Sequence, residues 1–175
     1  GDPASLPGLP SDPAILRDLV FQPWQREAEA RAHLEEELRD AVAKDELQLF
    51  YQPIVSAETE KISGFEALLR WHHPVKGWIS PERFIGIAED TGLIAQIGEW
   101  ALRKACSDLA EMNQDVRMAV NVSPLQFSNP NLPAVVTQAI AQAGIVPRQL
   151  ELEITESVFL NDDEGTDAMF KALKR

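Results

Sequence analysis

The stretch Gly64-Phe65-Glu66-Ala67-Leu68-Leu69-Arg70-Trp71 decides how the rest of the chain is read. A strand turns successive side chains to opposite faces, so its two-residue period puts Glu66 and Arg70 on one face and Phe65, Ala67, Leu69 and Trp71 on the other. Two later stretches repeat the pattern. Met118-Ala119-Val120-Asn121-Val122-Ser123 collects Ala119, Asn121 and Ser123 on one face, and Leu150-Glu151-Leu152-Glu153-Ile154-Thr155 collects Glu151, Glu153 and Thr155. Each strand hides apolar side chains on one side and shows oxygen ligands on the other. An antiparallel sheet with one solvated face gives this alternation. So does a sheet covered on its outside by helices, whose polar inner face surrounds something charged. Glu66, Asn121 and Glu153 offer two carboxylates and an amide carbonyl without thiol or imidazole, which suits a hard cation such as Mg²⁺ or Mn²⁺.

The segments around these strands favour the helix-covered sheet. Leu47 to Val55 reads as a strand, Ser56 to Glu60 as a polar turn and Ile62 to Trp71 as the returning strand, an antiparallel hairpin. Ser80, Pro81 and Glu82 start a helix, with Ser at the cap and Glu in the positive first turn, and Gly92 stops it. Ile94, Ile97, Ala101, Leu102, Ala105, Cys106 and Leu109 mark a longer helix, on which Cys106 is a small core hydrophobe. Met118 to Val122 is a strand, Leu132 to Ala143 a helix, Leu150 to Thr155 a strand, and Glu164 to Arg175 a helix. After the hairpin, helix and strand alternate, which predicts an α/β fold with a parallel sheet.

Upstream, residues 1–23 hold Pro3, Pro7, Pro10, Pro13 and Pro23 and read as a linker or disordered lead-in. Residues 24–44 read as a leader helix with one apolar stripe through Leu34, Leu38, Ala41 and Val42, and with Glu35 set to pair with Arg39. A packing role is preferred to that of a connector from an upstream domain. His33 is read as a surface residue. For His72 and His73, which follow the second strand, a loop-structuring or surface role is preferred to that of a catalytic imidazole.

Composition sets limits. The chain has 175 residues, 45% of them hydrophobic, and a formal net charge of −12. Such a charge argues against nonspecific attraction to DNA, RNA or anionic lipid. No apolar run is long enough to span a bilayer. A single cysteine, Cys106, leaves no internal disulfide and fits a reducing compartment. A cytoplasmic location is therefore expected, with tethering through an upstream domain left open.

Five stretches in order then spell a family. Leu49-Phe50-Tyr51-Gln52-Pro53-Ile54-Val55, the Glu66-Ala67-Leu68 strand, the helix from Ile79 to Ile94, Val120-Asn121-Val122-Ser123-Pro124 and Leu150-Glu151-Leu152-Glu153-Ile154-Thr155-Glu156-Ser157 resemble the EAL domain from about residue 35 onward. The resemblance implies a modified TIM (β/α)8 barrel with an antiparallel first strand. It also implies a phosphodiesterase that uses two divalent ions, Mg²⁺ or Mn²⁺, to convert cyclic di-GMP to the linear dinucleotide. Carried over residue by residue, Glu66, Asn121 and Glu153 become metal ligands, Glu66 and Glu153 being catalytic in that sense. Arg70 becomes the holder of a ligand phosphate, Gln52 a substrate contact, and Glu156 a stabiliser of the loop after the next strand.

The resemblance also implies a further strand with an Asp-Asp pair and a later lysine, glutamate and glutamine, and none of these motifs occurs in the sequence through Arg175. Residues 35–175 fall short of the roughly 250 of a closed barrel. The expectation is therefore a partial domain, 45–175, that is inactive by itself and belongs to a phosphodiesterase. A non-catalytic receptor or an interaction scaffold is the alternative. An upstream sensor or GGDEF domain and a homodimer through the barrel or leader helix complete the expected partners.

Overall fold

At Gly64 the second strand comes so close to a neighbour that an added Cβ would lie 2.7 Å from the carbonyl oxygen of Arg117. Only glycine lets the two backbones approach there. From that point β2 (Ile62–His73) runs parallel to β4 (Arg117–Val122), pairing Gly64 with Arg117 and Ala67 with Val120. The computed structural model describes residues 12–112, 114–154 and 164–173.

β1 (Leu47–Val55) pairs with the other edge of β2, antiparallel, from Leu47 opposite Trp71 to Val55 opposite Ile62, with an irregularity at Ile54/Val55. β5 (Leu150–Ile154) lies parallel to β4, and the sheet order is β1-β2-β4-β5. The hairpin, the parallel crossovers and the long elements match the sequence pattern. A short strand does not: β3 (Gly77–Ile79) pairs antiparallel with the end of β2, placing Trp78 opposite His72.

Helices cover the outer face. α3 (Pro81–Thr91) starts at Ser80, whose backbone carbonyl, not its hydroxyl, receives the first N–H groups, and it ends at Gly92 in the left-handed region. α4 (Ile94–Met112) buries Leu102, Ala105, Cys106 and Leu109 against Ala67, Met118 and Val120 of the sheet, and Ile94 and Ile97 in the cluster of Trp71 and Phe84. α5 (Pro124–Phe127) is a single turn that periodicity does not reveal. α6 (Leu132–Ala143) follows it, and α7 (Glu164–Leu173) adds Met169 to the cluster formed by Val122, Phe127 and Leu132.

The leader region corrects the expectation of a linker through residue 23. α1 (Pro13–Leu16), a π-helical turn (Arg17–Phe21) and α2 (Gln22–Ala41) form consecutive helical segments. Pro13 is tolerated because it opens its helix behind the Asp12 cap, where no intrahelical N–H is required. Pro23 likewise sits in the first turn of α2, just after the π-helical turn has broken the regular hydrogen-bond register. Residues 1–11 lie outside the described part. Leu34, Leu38 and Ala41 of α2 are buried against Leu47, Trp71 and Phe84, in accord with the packing role.

Candidate functional site

The register converts the strand pattern into a row of neighbours. Gln52 of β1 is the partner of Glu66 of β2, and Asn121 of β4 is the partner of Glu153 of β5. Glu66 itself pairs with Ala119, two residues before Asn121, so all four polar side chains belong to one face of the sheet. The seam between β2 and β4 is closed by the Asn121 amide, whose Nδ2 donates a 2.9 Å hydrogen bond to Glu66 Oε1. That bond commits the nitrogen of the carboxamide and leaves its oxygen as the end able to serve a cation.

Electrostatics at this row are unfavourable as they stand. Burial, followed by the charges of Glu66 and Glu151, holds the Glu153 carboxyl above the usual carboxylate range. Two carboxylates on one face of the sheet, Glu66 on β2 and Glu153 on β5 with β4 between them, repel each other, and a bound cation would relieve that repulsion. No third acidic, histidine or cysteine side chain joins Glu66 and Glu153 in one cluster among the described residues. The oxygen-only set of Glu66, Asn121 and Glu153 fits Mg²⁺ or Mn²⁺, ions that accept amide oxygen and water to complete their shell.

Arg70 lies four residues along β2 from Glu66, on the same face and opposite Gln48. Its guanidinium is steadied from two sides. Nη1 donates to the Leu69 carbonyl at 2.9 Å, and the group stands 5.8 Å from the Phe50 ring centroid, within cation–π range. A cavity of about 550 Å³ opens beside Arg70 and Asn121, walled by Leu69, Ile85, Ile97 and Val120 and carrying Glu89 and Ser123 as polar groups.

Other sequence candidates fall elsewhere. His33 is exposed on α2. His73 is buried and structures its loop: Nδ1 accepts from the backbone N–H of Val75 and Lys76 at 3.1 Å each, and Nε2 lies 3.3 Å from Glu37. His72 is exposed and packs edge-on against Trp78 at 4.7 Å between centroids. Ser123, expected among the inward oxygens, instead caps α5, its hydroxyl accepting from the Gln126 N–H. Glu151 pairs with Arg117 at 3.6 Å. Glu156 and Thr155 lie outside the described residues. Residues that sequence reasoning missed are Gln126, whose side chain reaches back to the β4 exit, and Phe50, which supports Arg70.

Among the described residues no helix is long and apolar enough to cross a membrane. A family model described as the EAL domain matches residues 35–175. The cyclic di-GMP phosphodiesterase NbdA of Pseudomonas aeruginosa is 39% identical over 145 residues, which are 81% of this chain and 18% of that protein. The bifunctional diguanylate cyclase/cyclic di-GMP phosphodiesterase MucR of the same organism is 39% identical over 150 residues, 83% of this chain and 22% of that protein. Among solved structures, the MucR phosphodiesterase in complex with c-di-GMP aligns with a TM-score of 0.77 at 40% identity, covering 81% of this chain and 59% of that one. The FimX EAL domain of Xanthomonas citri in complex with c-diGMP aligns at a TM-score of 0.74 and 25% identity, covering 86% and 59%. The chain thus spans well under two thirds of each of these relatives.

Proposed function

The chain belongs to the EAL domain family, and on that premise we propose that it contributes the metal-binding and phosphate-binding half of a cyclic di-GMP phosphodiesterase site. The observation that carries this proposal is the polar row itself: Gln52, Glu66, Asn121 and Glu153 on one face of four strands, joined by the Asn121–Glu66 hydrogen bond. Such a row is costly to expose toward a barrel interior unless a cation and an anionic ligand complete it.

In this reading Glu66, Asn121 and Glu153 hold the divalent ions, which when bound supply a nucleophilic water at neutral pH and offset charge on the phosphoryl oxygens. Arg70 binds a phosphate of the dinucleotide, for which a planar fork of donors is suited. The Phe50 ring and the Leu69 carbonyl limit the rotamers open to Arg70, so less entropy is lost on binding. Gln52, directly across from Glu66, contacts the same ligand. Glu156 keeps its assignment as a loop stabiliser. An upstream sensor or cyclase domain supplies the input, and the protein works in the cytoplasm.

A receptor that binds the dinucleotide without cutting it shares every binding contact named here, so the test must separate binding from hydrolysis. Calorimetry of the chain with cyclic di-GMP and Mn²⁺ is expected to show binding, and chromatography of the nucleotides after incubation with the whole protein is expected to show linear product. No binding by either sample would overturn the proposal. Binding without product would leave the receptor.

A further inference from the structure

β4 leaves the sheet immediately after Asn121, and the way it leaves is tightly specified. Val122 is buried, and Ser123 caps the single turn α5. Ser123 Oγ accepts the Gln126 N–H at 3.2 Å, and Gln126 Oε1 accepts the Ser123 N–H at 3.1 Å, a reciprocal pair that satisfies two end groups at once. A glutamine side chain in that role needs somewhere to lie. It lies on α4, over Gly98, where an added Cβ would stand 1.8 Å from Gln126 Nε2 and 2.4 Å from Cδ. Glycine is a poor residue for the interior of a helix. At position 98 it has a use, since any side chain would occupy the space that the amide fills.

Three elements therefore meet behind one site residue. α4 offers the socket, α5 supplies the amide, and the amide fixes the backbone that carries Asn121 out of β4. Asn121 in turn reaches Glu66 on the next strand. We propose that Gln126, seated on Gly98, is a positioning residue: it sets the orientation in which Asn121 holds Glu66 and presents its oxygen to a divalent cation. The inference rests on the metal-site reading above for its cation, but its geometric half stands apart from that reading. Without the Gln126 amide the Ser123 N–H loses its acceptor, and the segment that follows Asn121 gains freedom which the side chain must share.

The test follows the Asn121 side-chain amide by ¹H–¹⁵N NMR in the full chain without metal, the signal being identified by its loss in Asn121→Asp. Gly98→Ala and Gln126→Ala are expected to shift or broaden it, while Gln126→Glu, whose carboxylate can still accept from Ser123, leaves it in place. Titration with Mn²⁺ alone should then show affinity falling roughly 10- to 100-fold in the first two variants, the range commanded by residues that hold metal ligands in place. Gln126→Glu should stay near the parent. If Gly98→Ala does not fold, the contrast between Gln126→Ala and Gln126→Glu carries the same test. An Asn121 signal unmoved in a folded Gly98→Ala or Gln126→Ala variant overturns the proposal. A signal that moves in a protein that takes up no Mn²⁺ supports the positioning role and sinks the metal reading instead.

Discussion

Asn121 and Glu66 are not partners in the sheet register, yet the Asn121 amide spans the β2–β4 seam to the Glu66 carboxylate at 2.9 Å. Asn121's register partner is Glu153 on the far side. One amide therefore stands between two carboxylates that would otherwise face each other across three strands. It donates to the first, and its register places it beside the second.

That bridging position gives the first prediction. Asn121→Ala should leave the fold intact, because residue 121 is exposed and the neighbours Val120 and Val122 carry the packing. Mn²⁺ affinity should nevertheless fall by about tenfold or more, as expected when a ligand or its holder is lost. Calorimetric titration beside a far-UV spectrum checks both halves. Parent-like affinity would remove Asn121 from the donor set.

Arg70 makes the second. Arg70→Ala should weaken cyclic di-GMP binding roughly tenfold or more, since a charge-assisted phosphate contact is worth about 1.5–3 kcal/mol. Arg70→Lys should recover little, because an ammonium can neither fork across two phosphate oxygens nor lie over Phe50 as a plane. Equal affinities for the lysine variant and the parent would mean that charge alone suffices there.

Cys106 gives the third. The thiol is fully buried in the α4 core, and burial pushes its pKa up to about 11. Because the thiolate is the reactive species, an alkylating reagent at neutral pH should leave the native chain unmodified and label it fully in denaturant. Mass spectrometry of the two samples decides it. Rapid labelling of the native protein would show that this core opens easily.

The legible and illegible parts of this molecule divide along the range of the interactions involved. β1, β2, α4 and α6 were readable because a period of two or of 3.6 residues runs through each of them, and the period exists because one face is buried. The polar row was readable for the same reason: Glu66, Asn121 and Glu153 interrupt apolar periods. β3 and α5, three and four residues long, are too short to show a period. The helical lead-in was hidden by its prolines, which mark a break only when they fall inside a helix and not in its first turn. Gln126 was invisible for a different reason. Its place depends on the space above Gly98, a fact of tertiary packing that no local pattern carries.

The last prediction concerns how the leader helix is pinned to the domain. Glu37 of α2 receives the Lys76 ammonium and lies 3.3 Å from His73 Nε2, so one carboxylate ties the helix to the turn between β2 and β3. The Lys76 hydrogen bond, and after it the Lys76 and His73 charges, hold the Glu37 carboxyl below its usual value against the opposing effect of burial. A carboxyl whose folded pKa is depressed adds stability above its unfolded value, near 4.3, and that stability is lost as pH falls through the folded value. Lys76→Met removes the largest cause. At pH 7 the variant should therefore be less stable than the parent, by under about 1 kcal/mol since both partners are partly exposed. As the pH falls below the unfolded value and then through the lower folded one, the two should converge, because protonating Glu37 in the parent abolishes what the mutation has already removed. Urea unfolding at pH 7 and at acid pH, followed by tryptophan emission, checks the sign. A difference that persists unchanged at low pH would assign the effect of Lys76 to packing and not to charge.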